Sequence, residues 1–384
     1  MKSRIHLWSD KLFKPVNPLP AGMHHYQSPE DVTPPFRMHL RLDPGGNGLL
    51  VVNASTVLHL NQTASEYSYY FIQNKSANEV GRIMQSRYKI KAAEASRDFQ
   101  QIVDQIQTLS TTPDLAPELF IDLDRLDPYS ANISAPYRLD CALTYKNLST
   151  NLPKRIMKRV DRELTTDEWK SILKKAADAG IPHVIFTGGE PTTRPDLIEL
   201  ITYTEKLDLV CGLITDGSRL SDPAYLHSLL DAGLDHLMIL LDDSESTSWE
   251  ALKDAAAEDI FLTIHITIGK KNAPDIRKII DKLAGLAVPS VSLSMDSKEW
   301  SGLMSTTQQY IQQKGINLVW DLPVPYSSNH PVALELSEND EYVSGSGKAW
   351  LYVEPDGDVL PDQDDEQILG NFLTDPWDKI WNQS

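Results

Sequence analysis

Short apolar segments alternate with amphipathic segments through the second part of the chain. Each apolar segment has the length and composition of a buried strand, and a turn and a segment with helical spacing follow it. The predicted strands are residues 137–144, 183–187, 210–214, 236–241, 262–268, 290–294 and 317–320. The predicted helices are residues 166–179, 195–206, 223–232, 246–257, 274–286 and 302–314. Because helical crossovers join parallel strands, this pattern predicts an α/β fold built on a parallel sheet.

The number of predicted strands favours one architecture over another. Seven strands predict a curved, partial (β/α)6–7 TIM-like barrel over residues 136–335 rather than a closed eight-stranded barrel. An open doubly wound sheet built from the same elements is the competing topology.

The first part of the chain has a different pattern. Residues 1–35 are rich in Pro, His and turn residues and predict an irregular arm, whereas residues 111–135 predict a linker. Residues 36–110 predict a small winged-helix-like α+β domain with strands at 37–42, 49–52 and 57–60 and helices at 63–73, 76–88 and 92–109. Thr63 and Glu66 have the spacing of a capping box at the start of the first helix.

The last segment, residues 336–384, predicts a hairpin and a closing helix. The sequence AWLYVEPDGDVLP alternates apolar and polar residues around a Pro-Asp-Gly turn at 355–357. The sequence ILGNFLTDPWDKIW then supplies Trp377, Ile380 and Trp381 as anchors of a short helix.

The charge balance excludes several classes of partner. The chain has 54 acidic and 36 basic residues, a formal net charge of −18. A nucleic-acid binder or a protein of anionic membrane surfaces normally carries a basic face, so neither is expected. No signal-like apolar run opens the chain, and no segment has the roughly 18 apolar residues of a membrane span. The expected location is therefore the cytoplasm.

The sequence FTGGEPTTRPDL, residues 186–197, lies where a predicted strand ends and a helix begins. Parallel α/β folds bind ligands at this edge of the sheet. Gly188 and Gly189 allow backbone to approach a ligand and offer amide donors, Glu190 can accept from a cationic group, and Pro191 restricts the turn. The alternative is a tight turn in which the glycines serve only for positive φ.

The GGEP turn after the second strand and the TDG turn after the third resemble the radical S-adenosylmethionine superfamily. The resemblance implies that the GGEP strand end binds the amino group of the methionine moiety of S-adenosylmethionine. The positions that match the cofactor-binding positions are Gly188, Gly189, Glu190, Pro191, Thr215 and Asp216. Asp216 stands where an asparagine is more usual.

The flanking segments extend the resemblance to peptide-modifying members. Residues 36–110 are similar to a PqqD-like peptide-binding domain, and residues 336–384 are similar to a SPASM-like tail. The resemblance implies a peptide or protein partner that adds as a strand to the edge at residues 49–60. An aromatic group on the next helix either lines the adjoining groove or belongs to the core: Tyr67, Tyr69, Tyr70 and Phe71.

The sequence departs from the family at its cysteines. The family places CxxxCxxC after the first strand, but residues 147–155 contain no cysteine, and Asp362 stands where the tail would have one. The only two cysteines, Cys141 and Cys211, lie within predicted strands and are expected to be core residues. A [4Fe–4S] cluster is therefore not expected, no catalytic residue is assigned, and the chain is predicted to be a non-catalytic peptide- or small-ligand-binding protein.

Two enzymatic alternatives remain open. One is an active radical enzyme with an unconventionally ligated cluster. The other is a metal-dependent enzyme that uses carboxylates near the strand ends, with Asp140 and His265 inside the barrel. Those carboxylates are Glu190, Asp216, Asp242, Asp243, Asp296 and Asp321. Because strand-end carboxylates also cap helices, and because His236 and His265 lie on apolar strands as core histidines do, no metal site is assigned.

The acidic segment 354–366 carries seven carboxylates and no basic residue. It predicts either a solvated hairpin face or a surface for a cation or a basic peptide.

Overall fold

The computed structural model describes residues 16–29, 32, 35–53, 56–111, 134–146, 160, 162–319, 346–363 and 365–382. The chain divides into two compact units, Met1–Arg125 and Leu126–Ser384. The cysteine-free segment 147–155, Asp321 and most of the predicted linker lie outside the described residues.

The first unit is an antiparallel sheet covered by helices. Its strands are β1 (Gly22–Gln27), β2 (Arg37–Leu42), β3 (Gly48–Val52) and β4 (Thr56–Leu60), and they pair in that order. Its helices are α1 (Gln62–Ile72), α2 (Ala77–Arg87) and α3 (Ala92–Thr111). Met38, Leu40 and Leu50 pack with Ile72 and Ile106 in one core, so alternate strand residues face the helices.

The irregular arm predicted for residues 1–35 is wrong at β1. This strand pairs along its whole length with β2, from Gly22 opposite Leu42 to Gln27 opposite Arg37. Its sequence, GMHHYQ, lacks the aliphatic alternation that marks a strand. Aromatic packing replaces it, because the rings of Tyr26 and Phe71 have centroids 5.1 Å apart.

The capping box predicted at Thr63 is also wrong. The side chain of Asn61 caps α1 by accepting from the Ala64 amide at 2.9 Å. Glu66 is instead buried, where it forms an ion pair with Arg87 at 2.7 Å and accepts from the Tyr88 hydroxyl at 2.7 Å. A buried carboxylate needs such partners, and this requirement decides the role of Glu66.

The second unit is built on a sheet of parallel strands joined by helices. The first seven strands are β5 (Arg138–Thr144), β6 (His183–Gly188), β7 (Val210–Thr215), β8 (His236–Leu240), β9 (Phe261–Ile268), β10 (Ser290–Met295) and β11 (Asn317–Leu318). The helices are α4 (Thr166–Ala179), α5 (Leu197–Lys206), α6 (Pro223–Asp231), α7 (Ser246–Ala255), α8 (Ile276–Gly285) and α9 (Ser301–Gln313).

The order of these strands decides between the two predicted topologies. Strands β5 to β11 are neighbours in chain order, and every pair among them is parallel. A doubly wound sheet would reverse its order at a switch point. The α/β fold is therefore the partial TIM-like barrel, as predicted.

The tail adds three strands to the same sheet. These are β12 (Trp350–Val353), β13 (Asp358–Leu360) and β14 (Gly370–Asn371), followed by α10 (Trp377–Trp381). The predicted hairpin is confirmed, because β12 pairs antiparallel with β13. The sequence did not indicate that β12 also pairs, in parallel, with β5.

Within the part of the chain that the structure describes, no helix combines the length and apolar character needed to cross a membrane.

Candidate functional site

The GGEP turn lies against the end of β5. Gly188 has a φ of +121°, and a Cβ atom there would collide with the carbonyl oxygen of Thr144. A Cβ atom on Gly189 would collide with the carbonyl oxygen of Lys146. Both positions therefore require glycine, because the turn packs directly on neighbouring backbone.

Turn amides are used within the fold. The Gly189 amide donates to the Thr144 carbonyl at 2.6 Å, and the Glu190 amide donates to the Lys146 carbonyl at 3.1 Å. The Gly189 amide is therefore engaged within the fold, and donation by the turn amides to a ligand stays a prediction. The close approach that the glycines permit is to β5.

Glu190 joins the ends of β6 and β7. Its side chain is 2 % exposed. Its Oε1 accepts from the Thr192 amide at 2.9 Å, the Thr192 hydroxyl at 2.5 Å and the Thr215 hydroxyl at 2.8 Å. Its Oε2 accepts from the Asp216 amide at 2.7 Å. The predicted residues Glu190, Thr215 and Asp216 thus meet at one point, with Gly188, Gly189 and Pro191 forming the turn beside it.

Thr192 is a participant that sequence reasoning missed. It is the middle residue of the short 3-10 turn Pro191–Thr193, which Glu190 caps. A carboxylate two residues before a threonine, with proline between them, is the available signal for this local bond.

The ionisation of the Glu190 carboxyl group responds to a nearby cation. Burial, together with the negative charge of Asp216, raises the pKa of Glu190 to about 7, although the hydrogen bonds from Thr192 and Asp216 oppose the shift. Oε1 of Glu190 accepts three hydrogen bonds, whereas Oε2 accepts one, from the Asp216 amide, and retains a lone pair. A cationic group reaching Oε2 would therefore stabilise the ionised form.

The neighbouring cations hold the turn in place. Arg194 donates to the carbonyls of Leu143 and Leu164, each at 3.1 Å, and pairs with Asp196 at 2.7 Å. Arg219 donates to the Thr192 carbonyl. These contacts fix the position of the turn on β5.

Other strand-end carboxylates cap the turns that follow them. Asp216 accepts from the Ser218 amide at 2.8 Å, and Asp242 accepts from the Ser244 amide at 3.0 Å. Asp296 accepts from the indole nitrogen of Trp300 at 2.9 Å. Among the described residues, no three His, Cys, Asp or Glu side chains are grouped to hold a metal ion. The capping alternative therefore accounts for Asp216 and Asp242, whereas Asp296 binds a side chain.

Asp140 lies on the inner face of the barrel, opposite Ile185 in register. It forms an ion pair with Arg138 at 2.7 Å. The pKa of Asp140 is raised to about 6, mainly by burial; Arg138 lowers it and the charge of Asp362 contributes to the rise.

The two cysteines face the helices. Cys141 and Cys211 are fully buried in the core that also contains Trp169 and Ile201. Their strands, β5 and β7, are separated by β6. Burial raises the pKa of the Cys141 thiol well above its usual range. Because cluster ligation needs several thiolates directed to one point, these residues do not fit a [4Fe–4S] cluster.

In the first unit, the open edge differs from the predicted one. Strand β3 pairs on both sides, so only β4 of the predicted pair lies at an edge of the described sheet. Tyr67 and Tyr70 are buried in the helical core. Tyr69 instead packs against His24 of β1, with ring centroids 4.8 Å apart. The aromatic group is thus divided between the core and the β1 side.

Comparison with known proteins identifies a matching family and relatives of this chain. Residues 141–296 match the family model of the radical SAM superfamily. The PqqA peptide cyclase of Rhizobium meliloti (strain 1021) is 28 % identical over 257 residues, which are 58 % of this chain and 66 % of that protein. The PqqA peptide cyclase of Gluconobacter oxydans (strain 621H) is 39 % identical over 107 residues, 27 % of this chain and 30 % of that protein. The chain thus spans less than two thirds of the length of these relatives.

Solved structures share the fold across both units. Streptococcus suis SuiB bound to S-adenosylmethionine has a TM-score of 0.56 at 16 % identity, covering 93 % of this chain and 88 % of that one. Streptococcus suis SuiB bound to the precursor peptide SuiA has a TM-score of 0.54 at 16 % identity, covering 89 % and 86 %. The second unit therefore has the partial α/β barrel of radical SAM enzymes, and its residues 141–296 carry the sequence pattern of that superfamily.

Proposed function

We propose that this protein binds a peptide and S-adenosylmethionine on a radical SAM-type scaffold without cleaving the S-adenosylmethionine reductively. The observation that carries the proposal is a contrast within one sheet. Glu190 forms its hydrogen bonds to Thr215 and Asp216 at the strand ends, whereas both cysteines of the chain face the helices.

Binding of S-adenosylmethionine is supported by the chemistry of Glu190. The ligand carries an ammonium group, and Oε2 of Glu190 retains capacity to accept from it. A charge-assisted bond of this kind is stronger than one between neutral groups. The radical SAM family match over residues 141–296, which include the turn, and the fold shared with a SuiB structure that contains S-adenosylmethionine support the same proposal.

Loss of radical chemistry is supported by the cysteine count. Reductive cleavage needs an electron from an iron–sulfur cluster, and such clusters are held by cysteine thiolates. The chain has two cysteines, and the segment 147–155 after β5 has none.

Peptide binding is assigned to the first unit, as a PqqD-like module. Strand β4 ends the described sheet and pairs with β3 alone there, so a peptide can add to it through main-chain hydrogen bonds. One SuiB structure contains the precursor peptide SuiA, and PqqA peptide cyclases are named for a peptide substrate. The tail hairpin on β5 is proposed as a SPASM-like segment without cluster ligands.

Calorimetric titration with S-adenosylmethionine tests the proposal. The wild type should bind, and Glu190→Gln should bind about tenfold more weakly or worse, because a charge-assisted bond is lost. Glu199→Gln is the matched control, since that carboxylate is on the helix after the turn and is exposed, paired with Lys170. Equal affinity in all three proteins, or no binding by the wild type, would contradict the assignment.

The active-enzyme alternative makes a different prediction. The sequence match to PqqA peptide cyclases favours it. Anaerobic reconstitution with iron and sulfide should then give about four irons per chain and an iron–sulfur absorption band. Our proposal expects neither, with unchanged binding of S-adenosylmethionine.

A further inference from the structure

The inner face of the barrel changes character between its strands. On β6 to β8 four of the inward residues form an apolar cluster: Ile185, Ile214 and Met238, with Leu240 beside them. On β9 and β10 the inward residues form three cross-strand polar pairs: Thr263 with Ser290, His265 with Ser292, and Thr267 with Ser294. Branched aliphatic residues dominate the interior of most such barrels, so this polar wall needs an explanation.

His265 links the upper two pairs into one hydrogen-bonded row. Its Nδ1 lies 3.2 Å from the Ser292 hydroxyl, and its Nε2 lies 2.8 Å from the Ser294 hydroxyl. The Thr267 hydroxyl lies 3.0 Å from that of Ser294 and 3.2 Å from Nε2. The row Ser292–His265–Ser294–Thr267 is therefore continuous, and we call it the hydroxyl–imidazole row.

This row runs from the buried core to an exposed group. His265 is 2 % exposed, and Ser292 and Ser294 are fully buried. Thr267 is exposed, one residue before the end of β9. Because the strands are parallel, this end of β9 lies at the same edge of the sheet as Glu190 at the end of β6.

The Thr263–Ser290 pair, which lies farthest from the carboxyl ends of the strands, is a purely structural arrangement. Thr263 and Ser290 have hydroxyls 2.9 Å apart, and Ser290 also donates to the Leu262 carbonyl at 2.7 Å. Those bonds satisfy the buried hydroxyls locally. The hydroxyl–imidazole row instead ends at a group that a bound molecule can contact.

We propose that the hydroxyl–imidazole row is a proton-transfer path that opens at Thr267. A hydroxyl can donate and accept at once, and an imidazole can take a proton on one nitrogen and release one from the other. A group at the mouth gives a proton to the Thr267 oxygen, while the Thr267 hydroxyl proton passes through Ser294 to Nε2 of His265. The ring becomes an imidazolium, the charge of the donor falls by one unit, and the reverse steps restore both.

The identity of the donor rests on the proposed function. A peptide or ligand at the mouth would supply it as a hydroxyl, amide or ammonium group. Thr267 would contact that group, and His265 would act through Thr267 as a positioning residue. The path itself is a property of the free protein, and its test needs no ligand.

Exchange with water of the proton on Nε2 of His265, the nitrogen that the row connects to Thr267, measures the path. With 15N-labelled histidine, the signal is identified by its disappearance in His265→Gln, and its exchange with water is followed by NMR. Thr267→Val should slow exchange about tenfold, because it removes the exposed hydroxyl at nearly constant volume. Thr267→Ser should exchange as the wild type does. If fast exchange broadens the wild-type signal, a sharper signal in Thr267→Val indicates the same slowing of exchange.

Thr306→Val is the control, because Thr306 is an exposed threonine of α9 whose hydroxyl donates to the Leu303 carbonyl at 2.9 Å. It should leave the exchange rate unchanged. Equal rates in the wild type, Thr267→Val and Thr306→Val would overturn the inference, whether or not S-adenosylmethionine or a peptide binds. A thermal midpoint shared by Thr267→Val and the wild type shows that slower exchange does not reflect a change in global opening.

Discussion

Glu190 and Asp140 are both buried carboxylates with raised pKa values, but they are stabilised in opposite ways. Asp140 faces the guanidinium of Arg138, so its charge is already balanced. Glu190 is held by hydroxyl and amide donors and has a second acid, Asp216, nearby. A carboxylate held by neutral donors remains able to attract a cation, whereas an ion-paired one is already neutralised. The comparison therefore separates a candidate ligand-binding acid from a structural one.

The largest loss of stability should come from breaking the ion pair between Arg138 and Asp140. Arg138→Met leaves the Asp140 carboxylate buried without its cation and should lower the free energy of unfolding by about 3–5 kcal/mol. Chemical denaturation measures the loss. Lys278→Met, at an exposed pair with Asp275, should cost less than about 1 kcal/mol. Recovery of stability in Arg138→Met/Asp140→Asn is expected, and its failure would show that the arginine acts by packing alone.

A substitution in the turn that carries Glu190 should lower the stability of the protein nearly as much. Gly189→Ala forces a Cβ atom onto the Lys146 carbonyl and should cost about 1–3 kcal/mol, and it should also weaken S-adenosylmethionine binding. Gly302→Ala adds a Cβ atom in open space in α9 and should be neutral or stabilising by up to about 1 kcal/mol. Denaturation of both variants decides whether the close approach to β5 matters.

The pH dependence of stability should distinguish Glu190 from a neutral residue. Because the folded pKa of Glu190 is raised to about 7, its stabilising contribution is complete below its unfolded pKa and is lost as pH rises through about 7. Relative to Glu190→Gln, the wild type should therefore lose stability between pH 5 and pH 8, by at most about 1.4 kcal/mol per pH unit.

Binding of S-adenosylmethionine should displace the proton that Glu190 carries. If the ligand ammonium stabilises the ionised Glu190, S-adenosylmethionine binding at pH 6 should release a proton, and calorimetry in buffers of different ionisation enthalpy detects it. Glu190→Gln should release none. Identical proton release in the two proteins would assign the proton to another group.

An exposed carboxylate gives the smallest expected effect. Asp242→Asn removes only the charge of a side chain that caps Ser244, and it should change stability by about 0.5 kcal/mol. Zinc and magnesium uptake, measured by metal analysis after dialysis, should equal that of the wild type. A loss of bound metal would instead support the metal-dependent alternative.

The sequence predicts the barrel well because its signals are local. Strands such as 290–294 and the helix 166–179 are marked by apolar spacing, and the structure places them at Ser290–Met295 and Thr166–Ala179. The meeting of Glu190, Thr215 and Asp216 also follows, because consecutive parallel strands end at one edge.

The misses arise from contacts between distant segments. Strand β1 depends on pairing with β2 and on the rings of Tyr69 and Phe71, which its own sequence does not specify. The role of Glu66 depends on Arg87, and the Gly189 amide is occupied because the turn packs on β5. Local propensity cannot show such tertiary partners.

The parallel pairing of β12 with β5 has a consequence for biogenesis. Strand β5 is the first of the barrel strands to leave the ribosome, yet one side of it stays open until β12 is synthesised long afterwards. An open strand edge pairs readily with other chains. Through most of translation, the nascent barrel therefore has an unpaired strand edge that can associate with other chains. The tail hairpin covers this edge last and completes the sheet.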